Sequence, residues 1–476
     1  MTTALWTAQE IASATGGTTT GTWNATGVSI DTRTLKPGDL FVALQGPSFD
    51  GHEFVVAALK AGAAGALVHR EIAQQDSDNS HTRLVVVKDT FAALENLGRA
   101  ARKRTNAKIV AVTGSVGKTS TKEALRVALS AQGATSATLG NLNNHWGVPL
   151  SLARMPRETK FGVFELGMNH AGEIAPLSQM VRPHVAVITA VEAVHLEFFN
   201  SVDDIAREKA AIMAGLEPNG VAVLPHDSAH YDTLTAEAAK FGCKTVSFGA
   251  EHGVSDALLV AWTLTPAGTQ VAADIGGHRY MYEIAAAGRH WAVNSVAVLA
   301  AVQALGADVG VAASAFAKLT APAGRGAHRL IHAAVGEFTL IDESYNASPA
   351  SLRATAATVG AMKTNGRRIL VLGDMLELGE SAPQLHADLA PALRGAGIDV
   401  VFTAGPLMEH LHNVLPREMS GGHARDAASL VSLVTPAVRA NDIVAVKGSN
   451  GSRMSTVVNA LNALDATPAP RAANGH

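Results

Sequence analysis

Residues 108–120 read Lys108-Ile109-Val110-Ala111-Val112-Thr113-Gly114-Ser115-Val116-Gly117-Lys118-Thr119-Ser120. The run is a short β-branched segment, then glycines, then the start of a helical pattern that continues to about Ala131. Glycines let the backbone turn so that its N–H groups converge on a phosphate, and the N-terminus of the following helix adds its positive end. Lys118 can then reach the β- and γ-phosphates of a nucleotide, and the Thr119 hydroxyl can bind Mg²⁺. The segment therefore predicts a strand, a phosphate-binding loop and a helix in succession.

This loop is shorter than the most common phosphate loop. In the pattern G-x-x-x-x-G-K-[ST] the first glycine would stand at residue 112, which is Val112 here. The sequence therefore disfavours a generic kinase or GTPase. The alternative is a glycine-rich turn without a ligand, and the strand and helix on either side disfavour it. We expect the nucleotide to be bound by Gly114, Ser115, Val116, Gly117, Lys118, Thr119 and Ser120.

Apolar runs on both sides of the loop predict an α/β fold. Runs without alternation, separated by helical patterns, indicate parallel strands that are covered on both faces. They occupy residues 161–166, 185–190 and 221–224, and further on 338–341, 368–372, 400–403 and 442–446. Residues 258–284 instead alternate and contain turn glycines, which indicates an antiparallel extension.

The length of 476 residues predicts about three domains, at roughly 150 residues each. We predict a small α/β N-terminal domain over 1–84 and a central parallel-sheet domain of the P-loop ATPase type over 85–320. A Rossmann-like C-terminal domain follows over 321–466, and 467–476 is predicted to be a disordered tail. Within 85–320, the Ala-rich segment 90–104 is interpreted as a connecting helix.

Composition excludes several classes of protein. The formal charge is −3, from 38 Lys plus Arg against 41 Asp plus Glu, so binding of nucleic acid through a basic surface is not expected. The single cysteine, Cys243, excludes an internal disulfide framework and a Cys-rich zinc site. No run of about 18 apolar residues is present, so we expect no membrane span. The N-terminus lacks a basic stretch followed by an apolar run, so we expect a soluble, cytoplasmic protein.

Three polar residues outside the loop carry weaker signals on their own. Glu165 ends the 161–166 run, and the carboxyl end of a parallel strand beside a phosphate loop suits a Mg²⁺ ligand. From the residues alone, His195 is a loop histidine, since Mg²⁺ prefers oxygen ligands. Lys209 lies in a helical pattern, where a lysine is ordinarily a solvated charge.

Six short motifs, taken together, resemble the ATP-dependent Mur ligases over about residues 25–460. The motifs are Thr113-Gly114-Ser115-Val116-Gly117-Lys118-Thr119, Asn141-Leu142-Asn143-Asn144, Glu165-Leu166-Gly167-Met168, Ser344-Tyr345-Asn346-Ala347, Leu372-Gly373-Asp374-Met375-Leu376-Glu377-Leu378-Gly379 and Lys447-Gly448-Ser449-Asn450-Gly451-Ser452. The runs around Ser344 and Leu372 are the most particular to one branch of the family.

The resemblance implies an ATP and Mg²⁺ site. Lys118 would bind the ATP phosphates and Thr119 one Mg²⁺. Glu165 and His195 match positions that hold a second Mg²⁺. Lys209 matches a lysine that the family carries as a carbamate, which would make it a further metal ligand; with Lys118, Glu165 and His195 it would form the catalytic set. Arg325 matches the arginine that the third domain brings to the nucleotide, and the residues that match contacts to adenosine are Asn294, Glu343, Tyr345 and Asn346.

The resemblance also implies a binding site for a second nucleotide. Residues that look like the family's uridine-diphosphate pocket are Ser29, Asp31, Thr32, Arg33, Asp50, Gly51 and His52. Asn141, Asn143 and Asn144 match a motif that we expect to contact substrate. Five positions depart from the family pattern: His145-Trp146 replace a Glu-Ile pair, Ala211 an acidic residue, Trp291 an Asn, and Glu343 a common Asp.

The implied reaction adds D-alanyl-D-alanine to UDP-N-acetylmuramoyl-tripeptide through an acyl phosphate, as a step of peptidoglycan precursor synthesis, by a chain expected to act as a monomer. A Mur ligase that adds the third amino acid is the nearest alternative, and the Asp-Asn-Pro-Arg run usual in that branch does not occur. A folylpolyglutamate synthase normally carries its loop near the N-terminus, whereas residues 1–113 precede it here. An inactive nucleotide-binding scaffold would not need a second metal site.

Overall fold

A computed structural model of the chain describes residues 4–70, 83–251 and 255–466. The predicted disordered tail, 467–476, lies outside these described residues. None of the helices in the described ranges is long and apolar enough to cross a membrane.

The N-terminal part is a four-stranded parallel sheet with helices beside it. Its strands are β1 (Trp6–Thr7), β2 (Asn24–Ala25), β3 (Gly27–Ser29), β4 (Asp39–Val42), β5 (Gly65–Val68) and β6 (Leu84–Val86), and its helices are α1 (Ala8–Thr15), α2 (Val55–Lys60) and α3 (Thr90–Lys103). The sheet has the order β3-β4-β5-β6, and β1 and β2 form a separate antiparallel pair. The predicted boundary at residue 84 falls inside β6, which belongs to this sheet; the rest of the domain division stays a prediction.

The central part is a nine-stranded sheet. Its elements are β7 (Lys108–Thr113), α4 (Lys118–Ser130), β8 (Thr135–Ala137), α5 (Gly147–Ala153), β9 (Phe161–Glu165), α6 (Ile174–Val181), β10 (Val185–Ile188), α7 (Val202–Ala210), β11 (Val221–Pro225), α8 (Tyr231–Phe241), β12 (Lys244–Gly249), β13 (Ala257–Thr265), β14 (Gly268–Ile275), β15 (His278–Ile284), α9 (Arg289–Ala304) and α10 (Val309–Ala315). The order is β15-β14-β13-β12-β11-β10-β7-β9-β8, parallel from β8 to β13 and antiparallel from β13 to β15. Both the parallel sheet and its antiparallel extension are confirmed.

Each face of the central sheet has its own core. Val110 and Val112 pack into one cluster with α4 and α9, while Ile109 and Ala111 pack into another with α5 to α7. Because successive side chains of a strand point to opposite faces, an unbroken apolar run such as β7 fits a strand that is buried on both sides.

The C-terminal part is a six-stranded sheet that is again mostly parallel. Its elements are β16 (Ala327–Ala333), β17 (Gly336–Glu343), α11 (Pro349–Ala361), β18 (Arg368–Gly373), α12 (Ala382–Ala387), α13 (Ala390–Gly395), β19 (Val400–Ala404), α14 (Met408–Val414), β20 (Ser420–Ala424), α15 (Ala427–Val434), β21 (Ile443–Lys447) and α16 (Ser455–Asn462). The order is β16-β17-β21-β18-β19-β20, with only β16 antiparallel to its neighbour. Glu343 and Lys447 are paired residues at the carboxyl ends of β17 and β21.

The first two parts of the chain share a core. Leu94 and Leu97 of α3 and Leu150 of α5 pack with residues of the N-terminal sheet such as Leu40. Arg154, just after α5, donates through Nε to the Val28 carbonyl at 2.6 Å. The predicted connecting helix is therefore also a packing element of the N-terminal sheet.

Candidate active site

The phosphate loop lies where the sequence places it, between β7 and α4. Gly114 and Gly117 have φ of 148° and 85°. A Cβ on Gly114 would lie 2.0 Å from Thr189 Oγ1, and one on Gly117 would lie 3.0 Å from the side-chain amide of Asn294. Backbone conformation and lack of space both require glycine at these two positions, so the loop can present its backbone N–H groups at close range.

Lys118 folds back over the loop. Its Nζ donates to the carbonyl oxygen of Gly114 at 2.6 Å and is 3.4 Å from that of Ser115. Burial lowers the pKa of this lysine, the charge of Arg325 adds to that effect, and the carboxylate of Glu165 opposes it. The ammonium is thus held at the loop, from which a nucleotide phosphate can draw it.

Glu165 and Thr119 meet at the ends of two neighbouring strands. Val112 pairs with Glu165 in the sheet, which brings the end of β9 beside the loop. The Thr119 hydroxyl donates to Glu165 Oε2 at 2.9 Å, and Asn143 Nδ2 donates to Oε1 at 2.7 Å. Glu165 is buried, with 1% of its surface exposed. A hydroxyl and a carboxylate are hard oxygen donors, so this pair fits Mg²⁺.

His195 reaches across to the C-terminal part of the chain. Its Nδ1 lies 2.5 Å from Glu377 Oε2, and because a carboxylate only accepts, the imidazole donates. Burial lowers the pKa of His195, and the cations Lys118 and Lys209 act in the same direction, whereas Glu377 opposes them. Within the described ranges, no three His, Cys, Asp or Glu side chains cluster closely enough to hold a metal ion. The assignment of His195 to a second Mg²⁺ stays a prediction.

Lys209 is buried on α7, with 2% of its surface exposed. Burial lowers its pKa well below the usual value, the charge of Lys118 adds to this, and Glu208 opposes it. Among the residues that the structure describes, none accepts a hydrogen bond from its ammonium. The solvated lysine suggested by composition alone is therefore wrong, because a neutral amine is the favoured form in such surroundings.

The C-terminal residues matched to the nucleotide line the cavity opposite the phosphate loop. The Arg325 guanidinium stacks on the Tyr345 ring, 4.1 Å from its centroid. Lys447 Nζ donates to Glu343 Oε2 at 2.8 Å and to the Asn346 carbonyl at 3.0 Å. Burial raises the pKa of Glu343, but Lys447 and His290 outweigh burial and lower it overall. Lys447 therefore keeps Glu343 ionised.

One cavity of about 860 Å³ brings most of these groups together. From the predicted site it includes Ser115, Val116, Gly117, Lys118, Ser120, Asn143, Glu165, His195, Asn294, Arg325, Glu343, Tyr345 and Asn346. Gly114, Thr119, Lys209, Asn141 and Asn144 are not part of its lining. Sequence reasoning missed Lys447 as a site residue, although the motif that contains it was a sufficient signal. It also missed Thr189, Glu192 and His290, which no motif marked.

The predicted uridine-diphosphate residues form two separate groups on the N-terminal sheet. In one, Ser29 Oγ donates to the Asp31 carbonyl at 3.0 Å, and Arg33 pairs with the Asp31 carboxylate at 2.6 Å; Thr32 lies between them. In the other, Asp50 and His52 pair at 2.6 Å beside Gly51. Neither group lines the large cavity, so the structure separates the two predicted nucleotide sites.

A phosphate loop and a buried Thr–Glu pair, faced by an arginine and an acidic residue of a second α/β sheet, describe a nucleotide-dependent enzyme with its site between two domains. Family models match the whole of this arrangement: the catalytic domain of the Mur ligase family over 24–115, the Mur ligase middle domain over 112–302, and the glutamate ligase domain of Mur ligases over 328–450. The chain belongs to the Mur ligase family.

Individual relatives and solved structures are similar to this chain over most of its length. The chain is 35% identical over 434 residues to UDP-N-acetylmuramoyl-tripeptide–D-alanyl-D-alanine ligase of Escherichia coli, covering 90% of this chain and 92% of the relative. The fold is similar to that of MurF from Acinetobacter baumannii, with a TM-score of 0.82 at 30% identity and coverage of 96% and 99%. It is also similar to MurF from Thermotoga maritima in complex with ADP, with a TM-score of 0.77 at 26% identity and coverage of 92% and 97%.

Proposed function

We propose that this chain is an ATP-dependent ligase that joins D-alanyl-D-alanine to UDP-N-acetylmuramoyl-tripeptide in the synthesis of peptidoglycan precursors. The observation that carries the proposal is the single cavity in which Lys118 and Glu165 face Arg325 and Glu343. The names of the relatives supply the two substrates. The chain acts in the cytoplasm, where ATP is found, and as a monomer.

The phosphate loop binds ATP. Its backbone N–H groups and the N-terminus of α4 bind the phosphates. The ammonium of Lys118 leaves the Gly114 carbonyl and pairs with the phosphates. Thr119, bonded to Glu165, would hold one Mg²⁺, and this ion would supply charge neutralisation between the nucleotide and an approaching carboxylate. Asn294 and Glu343 contact adenosine, with Tyr345 and Asn346 beside it.

Two group transfers complete the reaction. An oxygen of the tripeptide carboxylate attacks the γ-phosphorus of ATP, the bond to ADP breaks, and an acyl phosphate forms. The amine of D-alanyl-D-alanine then attacks the acyl carbon, loses a proton, and phosphate leaves from a tetrahedral intermediate. Arg325 stabilises the negative charge on the transferring phosphoryl group. The contact between His195 and Glu377 holds the two walls together and excludes water from the acyl phosphate.

Lys209 acts as a carbamate. Its lowered pKa favours the neutral amine, whose nitrogen adds to the carbon of CO₂ and releases one proton. The product is an anion with two oxygens, the ligand type that Mg²⁺ prefers, in place of an ammonium that the metal would repel. Glu165 and His195 would hold a second Mg²⁺ together with this carbamate.

The N-terminal sheet binds the uridine diphosphate of the second substrate and takes no part in the chemistry. The two groups around Asp31 and Asp50 supply polar contacts, and Arg33 is accessible to a diphosphate, because its side chain is 86% exposed although it pairs with Asp31. Asn143 donates a hydrogen bond to Glu165 at the reaction centre and contacts the substrate there.

Phosphate release tests the proposal. The purified chain is assayed with ATP and Mg²⁺ against a panel of UDP-muramoyl peptides, each with and without D-alanyl-D-alanine. We expect release only with the tripeptide and the dipeptide together. Release with a UDP-muramoyl dipeptide and a single amino acid would instead identify the ligase that adds the third residue, and no release with any pair would identify a binding scaffold.

A further inference from the structure

Four aromatic rings meet where the central part of the chain contacts the N-terminal sheet. Trp146 and Phe49 are edge to face, with centroids 6.0 Å apart. His145 lies 5.5 Å from Trp146 and 5.7 Å from Phe91 of α3. Phe49 is 44% exposed and His145 is exposed as well, whereas Trp146 is half-buried. The rings therefore present an aromatic surface to solvent; we call Phe49, His145 and Trp146 the aromatic ledge.

The loop that carries the ledge is fixed at the reaction centre. Asn143 donates through Nδ2 to Glu165 at 2.7 Å and accepts at its carbonyl from the Gly167 backbone at 2.8 Å. Asn144 Oδ1 accepts from the Gly147 backbone at 2.9 Å, and Trp146 stands immediately before α5. Only two residues, Asn144 and His145, thus separate Asn143, which contacts Glu165, from Trp146.

The other side of the ledge adjoins the uridine-diphosphate residues. Phe49 precedes Asp50-Gly51-His52, and a tight turn, closed by the hydrogen bond from the Gly46 backbone to the Phe49 carbonyl at 2.9 Å, holds it there. The ledge therefore bridges the predicted uridine-diphosphate group and the carboxylate of the reaction centre.

We propose that the aromatic ledge binds the N-acetylmuramoyl sugar of the second substrate. This inference rests on the proposed function. In a UDP-muramoyl peptide, the sugar lies between the diphosphate and the peptide whose terminal carboxylate reacts. With the uridine diphosphate at the groups around Asp31 and Asp50 and the reacting carboxylate near Glu165, the sugar has to pass the segment that lies between them.

The chemistry of the ledge suits a sugar ring. One face of a pyranose carries C–H groups, which are attracted to the negative face of an aromatic ring, and the rim carries hydroxyl and acetamido groups. The exposed His145 and Asn144 side chains can bond that rim. Histidine and tryptophan, standing where the family usually has a Glu-Ile pair, also remove a negative charge from the neighbourhood of a diphosphate.

Two substitutions of Trp146 test the proposal. Trp146→Phe keeps an aromatic face, whereas Trp146→Leu keeps apolar volume without one. We expect the leucine variant to raise KM for UDP-N-acetylmuramoyl-tripeptide about tenfold, and the phenylalanine variant to stay within about threefold of wild type. The Kd of UDP alone and the KM of ATP should be unchanged in both. Tryptophan fluorescence should respond to UDP-N-acetylmuramoyl-tripeptide in the wild-type protein and lose that response in Trp146→Phe.

The results distinguish a failure of the proposed function from a failure of sugar binding at the aromatic ledge. If the wild-type protein does not turn over this substrate, the proposed function fails. If it does, two results would contradict sugar binding at the aromatic ledge. One is an equal KM for UDP-N-acetylmuramoyl-tripeptide in Trp146→Leu and wild type; the other is a loss of affinity for UDP alone as large as the rise in that KM. Because Trp146 also packs on the core that contains α3 and α5, Phe49→Leu serves as a second variant on an exposed ring, with the same expected pattern. Thermal unfolding of each variant checks that the fold is retained.

Discussion

His195 and Glu377 join two sheets that are separated by nearly two hundred residues of chain, and both have a left-handed backbone. Their φ angles are 58° and 62°, and their side chains meet at 2.5 Å. A non-glycine residue in this region costs free energy, and such residues persist where surrounding structure over-determines them. The pairing of two such residues marks this contact as a fixed point of closure between the central and C-terminal sheets.

Glu377→Ala should loosen closure. The pair is partly solvated, with side-chain exposures of 21% for His195 and 44% for Glu377. Such a contact contributes less than about 1 kcal/mol, so we expect KM for ATP to rise about two- to fivefold. Small-angle X-ray scattering of the free protein should show a larger radius of gyration. Glu380→Ala, an exposed neighbour, is the control; an unchanged radius in the Glu377 variant would contradict the closing role.

Lys118→Ala should abolish turnover and leave the fold intact, because this lysine contacts loop carbonyls and lies outside the apolar cores. We expect kcat below about a tenth of wild type, a loss of more than about 1.4 kcal/mol of transition-state stabilisation. Lys108→Ala, at the exposed start of β7, is the matched control. Retention of a larger fraction of kcat would sink the assignment.

Lys209→Ala should be nearly inactive, and formate should restore part of the activity by supplying a carboxylate in the vacated space. The reason is the buried, unpaired amine described above. Lys240→Ala removes an exposed helix lysine and should leave activity unchanged. Near-normal activity of Lys209→Ala in carbonate-free buffer would rule out the carbamate. Mass spectrometry under native conditions, with ¹³CO₂, provides a readout that is independent of turnover.

Arg33→Ala should raise KM for the UDP-substrate by about tenfold, as expected for the loss of one charge-assisted contact. The KM for ATP should stay nearly constant, since Arg33 does not line the ATP cavity. Arg99→Ala removes another exposed, ion-paired arginine and controls for a general effect of charge. A matching rise in KM for ATP would show that the uridine site is in the wrong place.

Lys447→Met should weaken both stability and ATP binding. The change leaves Glu343, whose side chain is 14% exposed, without its cation, at a cost of about 3 kcal/mol in the free energy of unfolding. The double variant Lys447→Met/Glu343→Gln should recover much of the stability but not the KM for ATP. Chemical denaturation measures the first effect and initial rates the second; additive losses in the double variant would show that the two residues act independently.

Sequence patterns predicted the sheets better than the environment of individual side chains. The β7 run and the strands paired with it were recognisable because a strand buried on both faces must be apolar throughout. The edge strands β16 and β20 were missed, since edge strands carry polar residues such as His328 and His423 that break the pattern. Burial of Lys209 could not be predicted from its helix, because it depends on elements packed from elsewhere. The contact of His195 with Glu377 is likewise invisible to local patterns, as it needs both sheets in place.

The shared core of the first two parts of the chain limits how this protein can be divided. Leu94 and Leu97 of α3 and Leu150 of α5 complete the apolar packing of the N-terminal sheet, and Trp6 donates through Nε1 to the Ala153 carbonyl at 2.8 Å. A fragment that stopped at residue 84 would lose part of β6 and leave this apolar surface open to water and to other copies of itself. Producing the uridine-binding unit alone would therefore require α3 in the fragment and a designed substitute for α5.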